Sequence, residues 1–172
     1  LADDARWGTD PMARVLHARG QSLPDWVALR SGRLGAVTDA IARPTDAADV
    51  RAVMDAASAR GASLIPYGGG TSVVGGVTPR PGDRPVISVD LGGMSGLHGL
   101  DETSGLATFG AGTVGPSIEA ALDPLGRTLG HFPQSFERST VGGWVVTRSA
   151  GQESSGYVRI EALFAGGHLE TP

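Results

Sequence analysis

The sequence predicts an α+β fold, and three observations predict it. An apolar run, an amphipathic helix and a second apolar run follow one another between Val37 and Pro66, the order of a βαβ unit. The chain then changes character: 22 of its 27 glycines lie after position 67, interleaved with apolar and hydroxyl residues, so short strands and turns replace the helical first third. Two stretches, 66–72 and 133–151, combine glycines with hydroxyls as backbone anion cradles do.

The first third opens with a short helix: Asp10 is the expected N-cap, Pro11 the first helical residue, Met12, Val15 and Leu16 one face, and Gly20 the terminator. A second short helix is expected around Asp25, Trp26, Ala28 and Leu29, between Pro24 and Gly32, with Trp7 and Trp26 as packing residues. Residues 31–37 read as a linker. Val37–Ala42 reads as a strand, with Thr45 able to cap a helix from Asp46 to Arg60 whose buried stripe is Val50, Val53, Met54 and Ala57. Asp46 and Asp49 in its first turn, Arg60 in its last and Gly61 at C′ agree with the helix dipole and with a left-handed stop. Ala62–Ile65 and Val86–Leu91 are further strands. Leu97–Asp101 and Leu106–Phe109 form a hairpin through residues 102–105. A helix over Pro116–Leu125 buries Ile118, Leu122 and Leu125, its length limited by Pro124.

A chain of 172 residues suits one domain or two small subdomains. The net charge of −4 gives no basic footprint, which excludes nucleic acid as an expected partner. With no cysteine there are no disulfides or thiolate metal sites. No apolar run approaches the roughly 20 residues of a membrane span and the N-terminus lacks a secretory pattern, so the expected location is the cytoplasm.

The first cradle is Pro66-Tyr67-Gly68-Gly69-Gly70-Thr71-Ser72, set after a strand, where open α/β sheets hold their ligands. Three glycines permit positive φ and close approach to backbone N–H donors, and Thr71 and Ser72 add hydroxyls, a set suited to a pyrophosphate. The Gly-Lys-Ser/Thr of a P-loop is absent, and a GxGxxG reading fails at Val73. A glycine-rich surface turn explains an isolated triple glycine equally well. The second stretch, Pro133-Gln134-Ser135-Phe136-Glu137-Arg138-Ser139-Thr140-Val141-Gly142-Gly143-Trp144, places Ser139 or Thr140 as cap of a helix whose first turn holds Gly142 and Gly143 and should expose unpaired amides. Two cradles with few basic residues suggest a ligand with a long polar spine, such as a dinucleotide.

Together with Thr147-Arg148-Ser149-Ala150-Gly151, these motifs resemble the FAD-binding (PCMH-type) domain of the vanillyl-alcohol oxidase and para-cresol methylhydroxylase superfamily, most closely its alkyldihydroxyacetonephosphate synthase branch and bacterial relatives. The resemblance covers about residues 36–172, after an N-terminal helical segment of residues 1–35. It implies two α/β subdomains with FAD between them. It puts Pro66, Tyr67, Gly68, Gly69, Gly70, Thr71 and Ser72 on the pyrophosphate, and Gln134, Ser135, Ser139, Thr140, Gly142 and Gly143 along pyrophosphate, ribityl and flavin ring. Thr147, Arg148, Ser149 and Ile160 match further cofactor-contacting positions. Relatives that link the flavin covalently carry histidine where this chain has Thr71, so non-covalent FAD is expected. The chain departs from the pattern at Arg138, at Tyr157-Val158-Arg159-Ile160-Glu161-Ala162, and in ending before the branch's Glu-Gly-x-Leu-Gly segment and substrate domain. The four histidines, His17, His98, His131 and His168, show no metal-ligand spacing, and His131 is the one candidate near the flavin, with a structural role set against proton transfer.

The implied activity is exchange of the acyl group of acyl-dihydroxyacetone phosphate for a fatty alcohol through a flavin N5 adduct, in ether lipid synthesis. A lipid-like substrate would be held by the absent C-terminal domain, and a homodimer is possible. An FAD-linked oxidase or dehydrogenase of a 2-hydroxy acid has the same fold, and a non-catalytic nucleotide-binding module is the reading from another class. No catalytic residue beyond His131 is expected within the chain, which alone should be catalytically silent.

Overall fold

A computed structural model describes residues 6–82 and 84–171, so the expected boundaries at residues 1 and 172 lie outside the described residues. The chain divides into two compact units, one running to Gly93 and taking in the terminal stretch from Glu170, the other Met94–Leu169. Among the described residues no helix is long and apolar enough to cross a membrane.

The first unit contains, in chain order, β1 (Trp7–Gly8), α1 (Pro11–Leu16), α2 (Leu23–Ser31), β2 (Ala40–Ala42), α3 (Ala47–Ser58), β3 (Ser63–Tyr67) and β4 (Val86–Asp90). Its sheet has the order β1-β2-β4-β3, with β4 parallel to both neighbours and β1 antiparallel to β2. As the apolar run Val86–Val89 requires, β4 is central and buried. The strand expected from Val37 starts only at Ala40, because Thr38 and Asp39 reach β4 partly through side chains: the Thr38 hydroxyl accepts the Ser88 N–H at 3.0 Å, and Asp39 Oδ2 accepts the Val86 N–H at 2.8 Å.

Helix α3 presents Val53 and Ala57 to a core of Ala42, Ile87 and Val89, with Trp7, Leu64 and Leu91 at its margin. Burying a side chain such as Val53 contributes about 1.5–3 kcal/mol. Asp46, not Thr45, is the N-cap, accepting the Asp49 N–H at 2.8 Å, while the Thr45 hydroxyl donates to the Asp49 carboxylate. Gly61 takes the expected left-handed conformation (φ 61°), and the Ala62 N–H to Ala57 carbonyl bond closes the helix end. Strand β3 runs two residues beyond expectation, through Pro66 and Tyr67, which pair with Val89 and Asp90. Proline is tolerated there because β3 is an edge strand.

The N-terminal helices depart further from expectation. Helix α1 has its Asp10 cap but stops at Leu16, well before Gly20, and Met12 and Leu16 are exposed. Polar anchors hold it in place of an apolar face: Arg14 Nε donates to the Thr38 carbonyl at 2.7 Å. Helix α2 turns Asp25 inward, and Trp26 is left at 47% exposure and is not the packing residue expected. A capping box joins Ser22 and Asp25, with the Ser22 hydroxyl donating to Asp25 Oδ2 at 2.6 Å. Ser22→Ala is expected to cost about 1 kcal/mol in thermal unfolding; an unchanged midpoint would show that this box contributes nothing.

The second unit contains the antiparallel hairpin β5 (Leu97–Asp101) and β6 (Leu106–Phe109), then α4 (Gly115–Leu122), α5 (Val141–Thr147), α6 (Ser154–Tyr157) and α7 (Ile160–Leu163). The hairpin has the predicted bounds, its turn closed by Asp101, which accepts the Thr103 N–H and the Ser104 hydroxyl. Helix α4 stops at Leu122 and Pro124 sits in a 3₁₀ turn, which turns Leu125 out to 48% exposure, off the face it was expected to share. Ile118, Leu122, Trp144 and Ile160 form the core, with Phe109, Phe136, Val141 and Val145 around it.

Candidate cofactor site

The glycine loop leaves β3 at its carboxyl end. Among the described residues, none of the N–H groups of Gly68, Gly69, Gly70, Thr71 and Ser72 donates to another group of the chain. Five successive free amides on a loop tied down at both ends are a cradle for an anion. Gly70 is buried at φ 66°, and a Cβ there would lie 2.1 Å from Tyr67 Oη, so the Tyr67 side chain folds back over the loop it introduces. Burial, and behind it the charge of Asp90, raises the Tyr67 pKa, which keeps the phenol neutral and able to donate to the Leu16 carbonyl. Ser72 is fixed at the other end. Its carbonyl accepts the Gln21 N–H at 2.7 Å, at a place where a Cβ on Gly20 would approach that same oxygen to 2.2 Å. The Ser72 hydroxyl accepts the Gly76 N–H, leaving its own proton for a ligand, and Thr71 has no partner among the described residues.

The second stretch is built differently. Thr140 caps α5 as expected, but the amides behind it are not unpaired: Val141 N–H bonds the Thr113 carbonyl, Gly142 N–H the Ala111 carbonyl, both at 2.9 Å, and Gly143 N–H the Thr140 hydroxyl. A Cβ on Gly142 would stand 2.9 Å from the Ala111 Cβ and carbonyl oxygen, so this glycine serves close packing. The hydroxyl of Ser139 is also engaged, accepting Trp144 Nε1–H at 2.7 Å and donating to the Ser135 carbonyl at 3.0 Å. Groups that remain open lie just upstream. Gln134 and Ser135 are exposed, and Ser135 holds φ 61°, a conformation non-glycine residues rarely adopt and one that clusters at functional sites.

Downstream, the Thr147 hydroxyl donates to the Gly143 carbonyl, and Arg148, in the left-handed region at the end of α5, extends an exposed guanidinium toward Glu161 at 3.4 Å. Ile160 is a core side chain, and its N–H bonds the Ser149 carbonyl. His131 is buried, with Nε2 2.7 Å from Ser149 Oγ and its ring edge against Trp144. Its Nδ1 has no partner. Burial lowers the His131 pKa against the opposing charge of Glu161, so the ring is neutral near pH 7. The cheaper neutral form donates Nε2–H to Ser149 and leaves Nδ1 as a bare lone pair, because an unpaired buried N–H carries the larger desolvation penalty.

One grouping escaped the sequence. His17, 73 residues from Asp90, lies with Nε2 3.0 Å from Asp90 Oδ2 and its ring 4.4 Å from that of Tyr67, the residue that leads into the glycine loop. Neither His17 nor Asp90 stands out in the sequence by itself. The signal was the parallel sheet, whose register sets Tyr67 opposite Asp90. Burial pushes the Asp90 carboxyl up, but the bonds from His17 and the Gly92 N–H, with the charges of His17 and Arg43, outweigh it and hold the group below the usual carboxylate range. No cluster of three or more metal-ligating side chains occurs among the described residues.

The free amides, the two loop hydroxyls and the absence of a lysine suit a diphosphate held by backbone donors, so the residues present fit FAD. The family described as FAD binding domain matches residues 38–171. Alkyldihydroxyacetonephosphate synthase of Trypanosoma brucei brucei is 36% identical over 165 residues, 95% of this chain and 27% of the relative. Its counterpart in Dictyostelium discoideum is 34% identical over 163 residues, with the same shares covered. A solved structure of alkyldihydroxyacetonephosphate synthase superposes with a TM-score of 0.87 at 34% identity, over 91% of this chain and 29% of the other. The chain thus spans about a quarter of the length of these relatives.

Proposed function

Because the chain belongs to the family of FAD binding domains, we propose that it holds FAD without a covalent link, on the amides of Gly68–Ser72, for a flavoenzyme of the alkyldihydroxyacetonephosphate synthase type. The observation that carries this reading is the row of five amides without a partner among the described residues, at the carboxyl end of a parallel strand. Bound FAD supplies the reactive ring, and the chain's own residues bind and orient it. The loop amides would donate hydrogen bonds to the pyrophosphate, and Thr71 and Ser72 would add hydroxyl donors. Gln134 and Ser135 offer exposed polar groups, and His131 fixes the Ser149 hydroxyl, for the remainder of the cofactor. The family match supports assigning residues 36–172 to cofactor binding and 1–35 to an N-terminal helical segment. The reaction we assign to the whole protein replaces the acyl chain of an acyl-dihydroxyacetone phosphate by a fatty alcohol.

Fluorescence titration should show saturable FAD binding, and the purified flavoprotein should release all of its yellow colour on acid precipitation, because Thr71 offers no nucleophilic nitrogen and the chain has no cysteine. Colour retained in the precipitate would contradict the non-covalent assignment. Acyl-for-alkyl exchange assayed beside oxidation of 2-hydroxy acids tests the reaction itself, and turnover of the latter alone would replace it.

A further inference from the structure

His17 stands between two acceptors. Its Nδ1 is 2.8 Å from the Ala13 carbonyl oxygen and its Nε2 is 3.0 Å from Asp90 Oδ2. A neutral imidazole has one N–H and can satisfy only one of them, so both bonds form only when the His17–Asp90 pair holds a further proton. With Asp90 Oδ1 already accepting the Gly92 N–H at 3.0 Å and the Arg43 charge favouring the ionised Asp90, the arrangement is an imidazolium facing a carboxylate. The side chain of His17 is only 14% exposed, which shields the pair from salt.

This cation touches the cofactor loop where it begins, and the backbone that follows His17 reaches the loop where it ends. Its ring lies against Tyr67, where the loop begins, and the segment that follows it brings Gly20 and Gln21 onto the carbonyl of Ser72, where the loop ends. The Ser88 hydroxyl ties the His17 carbonyl to β4 at 3.3 Å. Resting on the cofactor reading above, we propose that protonated His17 is a positioning residue that clamps the glycine loop in its binding shape, so that the protein's affinity for FAD falls when this proton is lost.

The charged and titratable groups facing His17 are Asp90 at the end of β4, Arg43 after β2 and Tyr67 at the end of β3; Arg14, on its own helix, is turned to the Thr38 carbonyl. The bond to Asp90 raises the His17 pKa above its ordinary 6.5, with the Ala13 carbonyl and the Asp90 charge adding to it and burial and Arg43 opposing. A raised value means the clamp is complete below about 6.5 and is lost as pH climbs through the folded-state value.

The test is FAD titration of the protein between pH 5.5 and 9, with His17→Gln and His17→Arg variants, and NMR titration of the His17 ring with and without FAD. Wild type should bind about tenfold more weakly at the alkaline end, the equivalent of one unit of linked pKa. His17→Gln should be weak and flat across the range. His17→Arg, permanently charged and able to stack on Tyr67, should remove the alkaline loss. By reciprocity, FAD should raise the ring's titration midpoint in wild type, a readout that needs no variant to fold. FAD binding that is flat with pH, a His17→Gln profile that copies wild type, or a ring midpoint indifferent to FAD would overturn the proposal while leaving the cofactor assignment standing. Failure to bind FAD at any pH would remove both.

Discussion

Gly70→Val should weaken FAD binding about a hundredfold or more, on the order of 3 kcal/mol. Two effects add. The backbone at φ 66° lies in the left-handed region, where a β-branched residue is strongly disfavoured. The new Cβ would also meet the Tyr67 hydroxyl at 2.1 Å, so either the ring or the loop must move, and the ring is held by His17. The damage is local, because the core of Ala42, Val53, Ala57, Ile87 and Val89 does not include the loop. Far-UV circular dichroism should therefore remain that of wild type. Gly61→Ala is the control: it has a similar φ of 61° but nothing within 4 Å of the added carbon. It should lose some stability and keep its flavin affinity. Unchanged affinity in Gly70→Val would mean that the loop is only a turn.

Trp144→Ala should be the most destabilising single change in the second unit, by about 3–5 kcal/mol. The indole is 2% exposed and packs with Ile118, Leu122 and Ile160, stacks near-parallel on Phe136 and receives the edge of His131. Removing it opens a cavity and frees the Ser139 hydroxyl from its 2.7 Å bond to Nε1. Because Ser139 also bonds the Ser135 carbonyl, the segment that holds Ser135 at positive φ would lose one of its ties. Urea unfolding of wild type, Trp144→Ala and Trp144→Phe checks this. Phenylalanine should recover most of the packing loss and none of the hydrogen bond. A loss below about 1 kcal/mol in Trp144→Ala would show that the surrounding side chains collapse into the space.

Much of this was legible along the chain. The stripe Val50, Val53, Met54 and Ala57 with Gly61 behind it marked α3, because periodicity and a left-handed stop are local properties. The hairpin closed by residues 102–105 was equally local, its turn held by a single aspartate within three residues. Trp26 and Leu125 were misjudged because exposure depends on which side of a helix meets the remainder of the fold. For α2 an inward Asp25, bonded to Ser22, decided that orientation against apolar content.

The sequence by itself determined that a glycine-rich loop follows a parallel strand and that the motifs belong to an FAD binding domain. It could not distinguish its two glycine runs. Those at 68–70 and at 142–143 look alike in one dimension, yet the first leaves its amides free and the second gives them to Ala111 and Thr140. Tertiary structure alone decided this, as it decided the meeting of His17 with Asp90, because a backbone amide is available to a ligand only if no distant part of the chain has reached it first.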